Sequence, residues 1–134
     1  MTEAFEVAIR SDGDIVVARQ RGRALAGQLG FSPGELALIA TSISELARNI
    51  LQYAGMGEIT VKPIADGAAR HGIVIIAADK GPGIPDVRRA LEDGYSTSGG
   101  FGLGLPGVKR LMDEFKVASE LGQGTTVTVK KWRC

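Results

Sequence analysis

The sequence predicts a single α/β domain over residues 1–134, folded as a two-layer sandwich in which helices cover one face of a mixed sheet. Two observations lead to this prediction. Ser32-Pro-Gly-Glu35 matches a capping box that opens a helix with one apolar stripe. Residues 73–78 form an unbroken apolar run, which is typical of a central strand buried on both faces. Strand and helix patterns alternate around these segments, in a chain of the usual size for one domain.

The elements are predicted in the order strand, two helices, two strands, a long loop, a helix and two strands. Asp12 or Asp14 is expected to cap the first helix, and Gly30 is expected to end it. The loop over residues 81–100 contains at most a short helix near residues 86–92. The other predicted elements are strands at 4–9, 58–64 and 73–78, a helix at 104–115, and a hairpin of strands 116–120 and 125–132.

Composition excludes several classes of function. The 16 basic and 15 acidic residues balance to a net charge of +1, which leaves no broad electrostatic footprint for nucleic acid. Cys134 is the single cysteine, so neither an internal disulfide nor a cysteine-based zinc site is expected. The first residues lack the pattern of a signal peptide, and no apolar run reaches the roughly 18 residues of a membrane helix. We therefore expect a cytoplasmic protein with no membrane or nucleic-acid partner.

Glu45 and Asn49 lie one turn apart on the capping-box helix, so their side chains share a face. Magnesium prefers oxygen ligands and often takes one or two from the protein, with nucleotide phosphates and water completing its shell. Asn49 can give such an oxygen, and Glu45 can accept a proton from an attacking hydroxyl. The alternative interpretation is a solvated helix face, on which Glu and Asn are common.

Asp79 stands where the buried strand ends and heads the turn Asp79-Lys-Gly81-Pro-Gly83. An ionised carboxylate only accepts hydrogen bonds, so it matches the amino group of adenine, which donates them. Gly81 and Gly83 would let a purine pack against bare backbone. Asp, Gly and Pro are also ordinary turn residues, so a plain turn remains the alternative.

Gly102, Gly104 and Gly107 spell G-x-G-x-x-G at the start of the helix predicted at 104–115. A Rossmann fingerprint needs a strand directly before it, and the preceding Ser, Thr and Gly residues make a poor strand. The other motifs of a protein-kinase glycine loop are missing as well. We therefore interpret the segment as a mobile lid that ends at a helix N-terminus, where backbone N–H groups suit phosphate oxygens. A floppy surface loop is the alternative, although a loop this long is unusual without a function.

Together, these motifs resemble the N, G1, G2 and G3 boxes of the Bergerat-fold, or GHKL, ATPases. The fourth box is Gly124-Thr125, which on its own would be an ordinary hairpin turn. The short single-domain form resembles the anti-sigma-factor serine kinases, and residues 43–50, 92–98 and 104–115 look closer still to the RsbT-like switch kinases of the stressosome. The resemblance covers nearly the whole chain, from about residue 5 to residue 132.

The resemblance implies a role for each matching residue. Glu45 matches the proposed general base, and Asn49 matches the ligand of magnesium within the ATP site. Asp79 matches the acid that recognises the adenine amino group, and Thr125 supports that side of the pocket. The glycine boxes match the remaining contacts. Gly81 and Gly83 match residues that line the adenine pocket. The phosphates are contacted at the positions of Gly102, Leu103 and Gly104.

One departure from the family pattern concerns the γ-phosphate. Related anti-sigma-factor kinases often place an arginine just before the second glycine box, whereas this chain has Ser98-Gly-Gly-Phe101 there. Lys109 and Arg110 lie further along the predicted helix and are poor substitutes. The basic group that meets the γ-phosphate therefore stays unassigned.

The resemblance implies a protein serine/threonine kinase that uses Mg-ATP to phosphorylate a STAS-domain partner in a stressosome-like assembly, with a downstream phosphatase as a further partner. Catalysis would consist mostly of positioning and charge neutralisation. The alternative is an ATP-gated module that sequesters or activates a partner without obligatory phosphoryl transfer. A plain ATPase and a histidine-kinase fragment are disfavoured, because the sequence shows neither a transducer domain nor a phosphoacceptor helix.

Overall fold

The computed structural model describes residues 3–67, 69–81 and 104–133. Within these ranges the chain forms five strands and three helices. The strands are β1 (Phe5–Ile9), β2 (Gly57–Asp66), β3 (Arg70–Asp79), β4 (Glu114–Glu120) and β5 (Gly124–Trp132). The helices are α1 (Asp12–Gln28), α2 (Pro33–Ala54) and α3 (Gly104–Leu111). No described helix combines the length and the apolar character needed to cross a membrane.

The strands form one sheet in the order β1-β2-β3-β5-β4, and every described pairing is antiparallel. The prediction of a mixed sheet is therefore wrong. Two helices lie between β1 and β2, so the chain returns to the end of the sheet where β1 finished and β2 runs the opposite way. β4 runs in the same direction as β3, but β5 lies between them and pairs with both.

The predicted two-layer arrangement is confirmed by the position of the core. Alternate strand residues on one face of the sheet, such as Ile59 and Ile75, are fully buried against apolar residues of all three helices, such as Ile43 and Val108. Polar residues such as Glu58 occupy the other face. Each Å² of apolar surface that is buried stabilises the folded state by about 25 cal/mol, so this interface between sheet and helices is the main source of stability.

The two long helices begin at caps that follow from local sequence. The predicted capping box of α2 is confirmed, because the Ser32 Oγ accepts a hydrogen bond from the Glu35 N–H at 3.2 Å and the Glu35 Oε1 accepts one from the Ser32 N–H at 2.9 Å. Gly55, with φ of 81°, ends α2 in the left-handed region. The cap of α1 is Ser11 rather than Asp12 or Asp14, and the Asp14 carboxylate accepts the Ser11 N–H from the third helical position.

The helix predicted at 104–115 is shorter in the structure and ends at Leu111. Asp113 N–H donates to the Lys130 carbonyl, and Phe115 pairs with Val129, so the chain has already joined the sheet at these residues. The apolar residues Met112 and Phe115 fit a helical repeat as well as they fit a strand. Pairing with β5 therefore decides the boundary, and local periodicity does not.

Candidate functional site

A row of paired residues crosses one end of the sheet on the face that the helices cover. Ile9 pairs with Gly57, Gly57 with Asp79, Asp79 with Thr125, and Thr125 with Ser119. Directly opposed residues of antiparallel strands place their side chains on the same face. Ile9 is fully buried in the core, so the whole row faces the helices. We call Gly57, Asp79, Thr125 and Ser119 the site row.

Asp79 is the last residue of β3, as the sequence predicts, and its side chain is half-buried. Its Oδ1 accepts the backbone N–H of Gly81 at 2.8 Å, which fixes the carboxylate over its own turn. A carboxylate offers about four acceptor sites, so one such bond leaves capacity for a donor on a ligand. The two interpretations of this segment, a plain turn and an adenine-binding acid, are therefore compatible, because the turn holds the carboxylate that would accept the hydrogen bond.

Two positions that pack closely around Asp79, Gly81 and Gly124, have no room for a side chain. A Cβ on Gly81 would lie 2.6 Å from the Ala54 Cβ, so the turn after β3 lies directly against the last residue of α2. Gly124 has φ of 115°, and a Cβ there would overlap the Asp79 carbonyl oxygen. A side chain at either position would displace the backbone that carries Asp79.

Glu45 lies on α2 with only 7% of its surface exposed, although it is charged. Its Oε1 accepts a hydrogen bond from the Arg48 Nη1 at 2.6 Å, and its Oε2 accepts the N–H of Gly104 at 3.4 Å. Gly104 is 59 residues away in sequence and begins α3. Burial shows that Glu45 does not belong to a solvated helix face. The contact brings Gly104, the described residue of the second glycine box, to the predicted base.

Asn49 is half-buried and lies on α2 one turn after Glu45. Glu45 contacts the first residue of α3, and Ala54 contacts the turn after β3. Asn49 therefore lies on the segment of α2 that runs between the predicted phosphate-binding and adenine-binding residues. We call residues 45–54 the site segment of α2.

The amide oxygen of Asn49 suits Mg²⁺ through its donor chemistry. The described residues contain no group of three or more His, Cys, Asp or Glu that could hold a metal ion. A neutral oxygen from one residue is the kind of ligand that Mg²⁺ combines with phosphate oxygens and water. The residues present thus fit an ion that arrives with its nucleotide.

Two residues of the site were given no role by the sequence analysis. Ser119 lies beside Thr125, and their hydroxyl oxygens are 2.9 Å apart. The two residues flank the turn between β4 and β5, so the register of this hairpin could have predicted from sequence that they face each other. Arg48 lies three residues after Glu45 on α2, and this spacing, at which opposite charges on a helix meet, was the signal that could have paired them. Gly83, Gly102 and Leu103 fall outside the described residues, and their roles remain predictions.

The fold and the site row together define a class of protein. Residues 34–133 match the histidine kinase-, DNA gyrase B-, and HSP90-like ATPase family, and the chain belongs to that family. A solved structure of the RsbU and RsbW domains of a Mycobacterium tuberculosis protein shares the fold, with a TM-score of 0.65 at 17% identity, and covers 99% of this chain and 34% of that one.

Within the family, the chain is similar to two kinds of bacterial regulator. It is 56% identical to the serine/threonine-protein kinase RsbT of Bacillus subtilis over 132 residues, which is 98% of each chain. It is 32% identical over 118 residues to an anti-sigma F factor of Caldanaerobacter subterraneus, covering 86% of this chain and 82% of that protein. The resemblance found from the motifs is therefore confirmed along nearly the whole chain.

Proposed function

We propose that the protein is a serine/threonine kinase that uses Mg-ATP to phosphorylate a STAS-domain protein in a partner-switching stress pathway. The single observation that carries the proposal is that residues far apart in sequence meet along the site segment of α2. Gly104 reaches Glu45 at one end of this segment, and the turn of Asp79 packs on Ala54 at the other. High identity to a relative named as a kinase supports the choice of reaction.

Asp79 and Thr125 recognise the adenine in this proposal. The Asp79 carboxylate accepts a hydrogen bond from the adenine amino group, and the adjacent Thr125 hydroxyl can donate or accept at the neighbouring edge of the base. Gly81 keeps the wall beside the base free of side chains. The bond from Gly81 N–H to Asp79 holds the acceptor in place before the nucleotide arrives.

Asn49 holds Mg²⁺ through its side-chain oxygen, and Gly104 N–H faces a phosphate oxygen at the start of α3. Mg²⁺ held there would supply positive charge against the charge that develops on the phosphates during transfer. Gly102 and Leu103 add backbone contacts to the phosphates. The rest of the catalytic contribution comes from positioning, because the site holds the γ-phosphoryl group in line with the attacking hydroxyl.

Glu45 is the general base of the proposed reaction. It takes the proton of a serine or threonine hydroxyl as that oxygen forms a bond to the γ-phosphorus. The bond from the γ-phosphorus to the bridging oxygen of ADP breaks in the same step, and ADP leaves with that electron pair. Each Glu45 carboxylate oxygen carries one hydrogen bond at present, so acceptor capacity remains for the proton of the hydroxyl.

A second candidate function is an ATP-gated binding module. Several relatives are named anti-sigma F factors, and that name describes binding of a partner. In this alternative, nucleotide controls the capture of a STAS-domain antagonist or a downstream phosphatase, and phosphoryl transfer is dispensable. Both candidates use the same nucleotide site, so they differ only in the need for Glu45.

The test follows radiolabel transfer from Mg-[γ-³²P]ATP to purified STAS-domain candidates, with the wild type and Glu45→Gln side by side. Removing a general base is expected to slow transfer by about 10² to 10⁴-fold. ATP affinity, measured by calorimetry, is expected to stay within about threefold, since the base makes its contribution in the transition state. Wild-type transfer that Glu45→Gln leaves intact would remove Glu45 as the base. ATP binding with no acceptor labelled would favour the binding module.

A further inference from the structure

Arg48, Glu45 and Gly104 form a contact that nothing in the proposed reaction explains. The Arg48 guanidinium and the Gly104 N–H each donate to a different oxygen of the Glu45 carboxylate, at 2.6 Å and 3.4 Å. The carboxylate is buried, whereas 46% of the Arg48 side chain is exposed. The guanidinium therefore lies at the surface of the site, with one carboxylate between it and the first residue of α3.

The two donors on Glu45 are the kinds of group that bind phosphate. A guanidinium presents five N–H donors in a planar fork that matches phosphate oxygens, and the N–H groups at a helix N-terminus favour an anion. In the present structure, Glu45 supplies the negative charge that both donors need. The Glu45 carboxylate thus stands beside the start of α3 as an internal anion.

Three basic side chains on or beside α3, all among the described residues, are placed less well for a phosphate at the start of that helix. Residues 95–102 contain neither Lys nor Arg. Lys109 and Arg110 lie in the last turn of α3, roughly 8 Å further along the helix axis than Gly104 at 1.5 Å per residue. Lys131 donates to the Leu111 carbonyl at the far end of the same helix.

We propose that Arg48 is the γ-phosphate-binding cation and that it moves from Glu45 to the phosphate when ATP binds. The inference rests on the proposed function, because it places a γ-phosphate at the start of α3. A single movement then does two things. It neutralises a negative charge on the phosphoryl group, and it removes the charge-assisted hydrogen bond on the Glu45 Oε1, which makes this oxygen a better acceptor for the proton of the attacking hydroxyl. ADP has no γ-phosphate, so Arg48 stays on Glu45 and the carboxylate stays a weaker proton acceptor.

The experiment compares wild type, Arg48→Gln and Arg48→Lys for affinity to Mg-ATP and to Mg-ADP by calorimetry. Arg48→Gln is expected to weaken ATP binding by roughly tenfold to a hundredfold, the usual effect of losing a charge-assisted hydrogen bond, while ADP binding changes by less than about twofold. Arg48→Lys keeps the charge without the fork and is expected to fall between the two. A merely structural role would weaken ATP and ADP binding equally.

Arg70→Gln is the matched control. Arg70 is 50% exposed and pairs with Asp66 at 3.4 Å, at the end of the sheet opposite the site row. Its loss removes a guanidinium with a similar exposed fraction, together with its surface ion pair and its contact with the Trp132 ring, and is expected to leave both nucleotide affinities unchanged. Thermal unfolding of each variant identifies any that does not fold, and Arg48→Lys then carries the comparison.

The outcomes separate the inference from the proposed function. An Arg48→Gln variant with the wild-type ratio of ATP to ADP affinity overturns the inference and leaves the kinase proposal standing. A wild type that binds ATP but labels no acceptor removes the kinase proposal, while the affinity ratio still decides the role of Arg48. A wild type without ATP affinity overturns both.

Discussion

The two faces of the sheet differ most at the end where β3 finishes. On the helix-covered face, the site row places Asp79 beside Thr125 and Thr125 beside Ser119. One residue along each strand, the open face carries Glu58, Ala78, Thr126 and Ala118, which we call the open row. Each row carries one acidic residue and at least one hydroxyl, and the two rows share the same strands.

What distinguishes the rows is how their acidic groups are held. Asp79 accepts a backbone N–H at 2.8 Å within a half-buried turn. Glu58 is fully exposed, and a hydrogen bond with Glu6, followed by the charge of Glu6, raises its pKa above the ordinary value. A carboxylate that is held by a backbone N–H beneath helices can select a ligand, whereas an exposed carboxyl beside a second carboxyl is a surface feature. Position relative to α2, rather than residue type, therefore marks the site.

The largest contrast is expected between Asp79→Asn and Glu58→Gln. The amide introduced by Asp79→Asn can present a donor to the adenine amino group, which is itself a donor, so we expect ATP affinity to fall by about a hundredfold. Glu58→Gln makes the same chemical change on the open row and is expected to leave affinity within about twofold. Calorimetric titration with Mg-ATP measures both. Equal affinity for the two variants would place the adenine elsewhere.

The next contrast concerns the backbone under the site row and compares Gly124→Ala with Gly122→Ala. Both glycines have positive φ, but only at Gly124 would a Cβ overlap the Asp79 carbonyl oxygen. We expect Gly124→Ala to lower the free energy of unfolding by about 2 kcal/mol or more and Gly122→Ala by about 1 kcal/mol. Urea unfolding measures the difference. Equal losses would mean that β5 does not pack on the Asp79 turn as described.

The smallest contrast compares Thr125→Val with Thr126→Val. Loss of one neutral hydrogen bond at Thr125 is expected to weaken ATP binding by about fivefold, and loss of the open-row hydroxyl is expected to have no effect. Ser119→Ala removes the hydroxyl that lies 2.9 Å from Thr125 and is expected to weaken binding by about twofold. In the double variant the two effects should not add, because Ser119 acts through Thr125.

The features that the sequence predicted well depend on local interactions. The Ser32–Glu35 capping box and the Gly55 cap satisfy backbone groups within one turn, so four or five residues determine each end of α2. The position of Asp79 at the end of β3 follows from the apolar run before it. These features explain why the order of elements, and the places of Glu45, Asn49 and Asp79 within it, could be predicted.

The features that the sequence could not predict depend on contacts between distant segments. β5 inserts between β3 and β4, which makes the sheet antiparallel and brings Thr125 beside Asp79. Phe115 belongs to β4 because it pairs with Val129, although its spacing also fits a helix. The contact of Glu45 with Gly104, 59 residues away in sequence, becomes visible only when α3 packs on α2.

The most direct test of the account is a crystal structure of the protein with Mg²⁺ and a non-hydrolysable ATP analogue. We expect the adenine amino group within hydrogen-bonding distance of the Asp79 carboxylate and the ion bound to the Asn49 side-chain oxygen, in one continuous pocket along the site segment of α2. An analogue bound elsewhere, or Asp79 and Asn49 opening onto separate surfaces, would contradict the central claim.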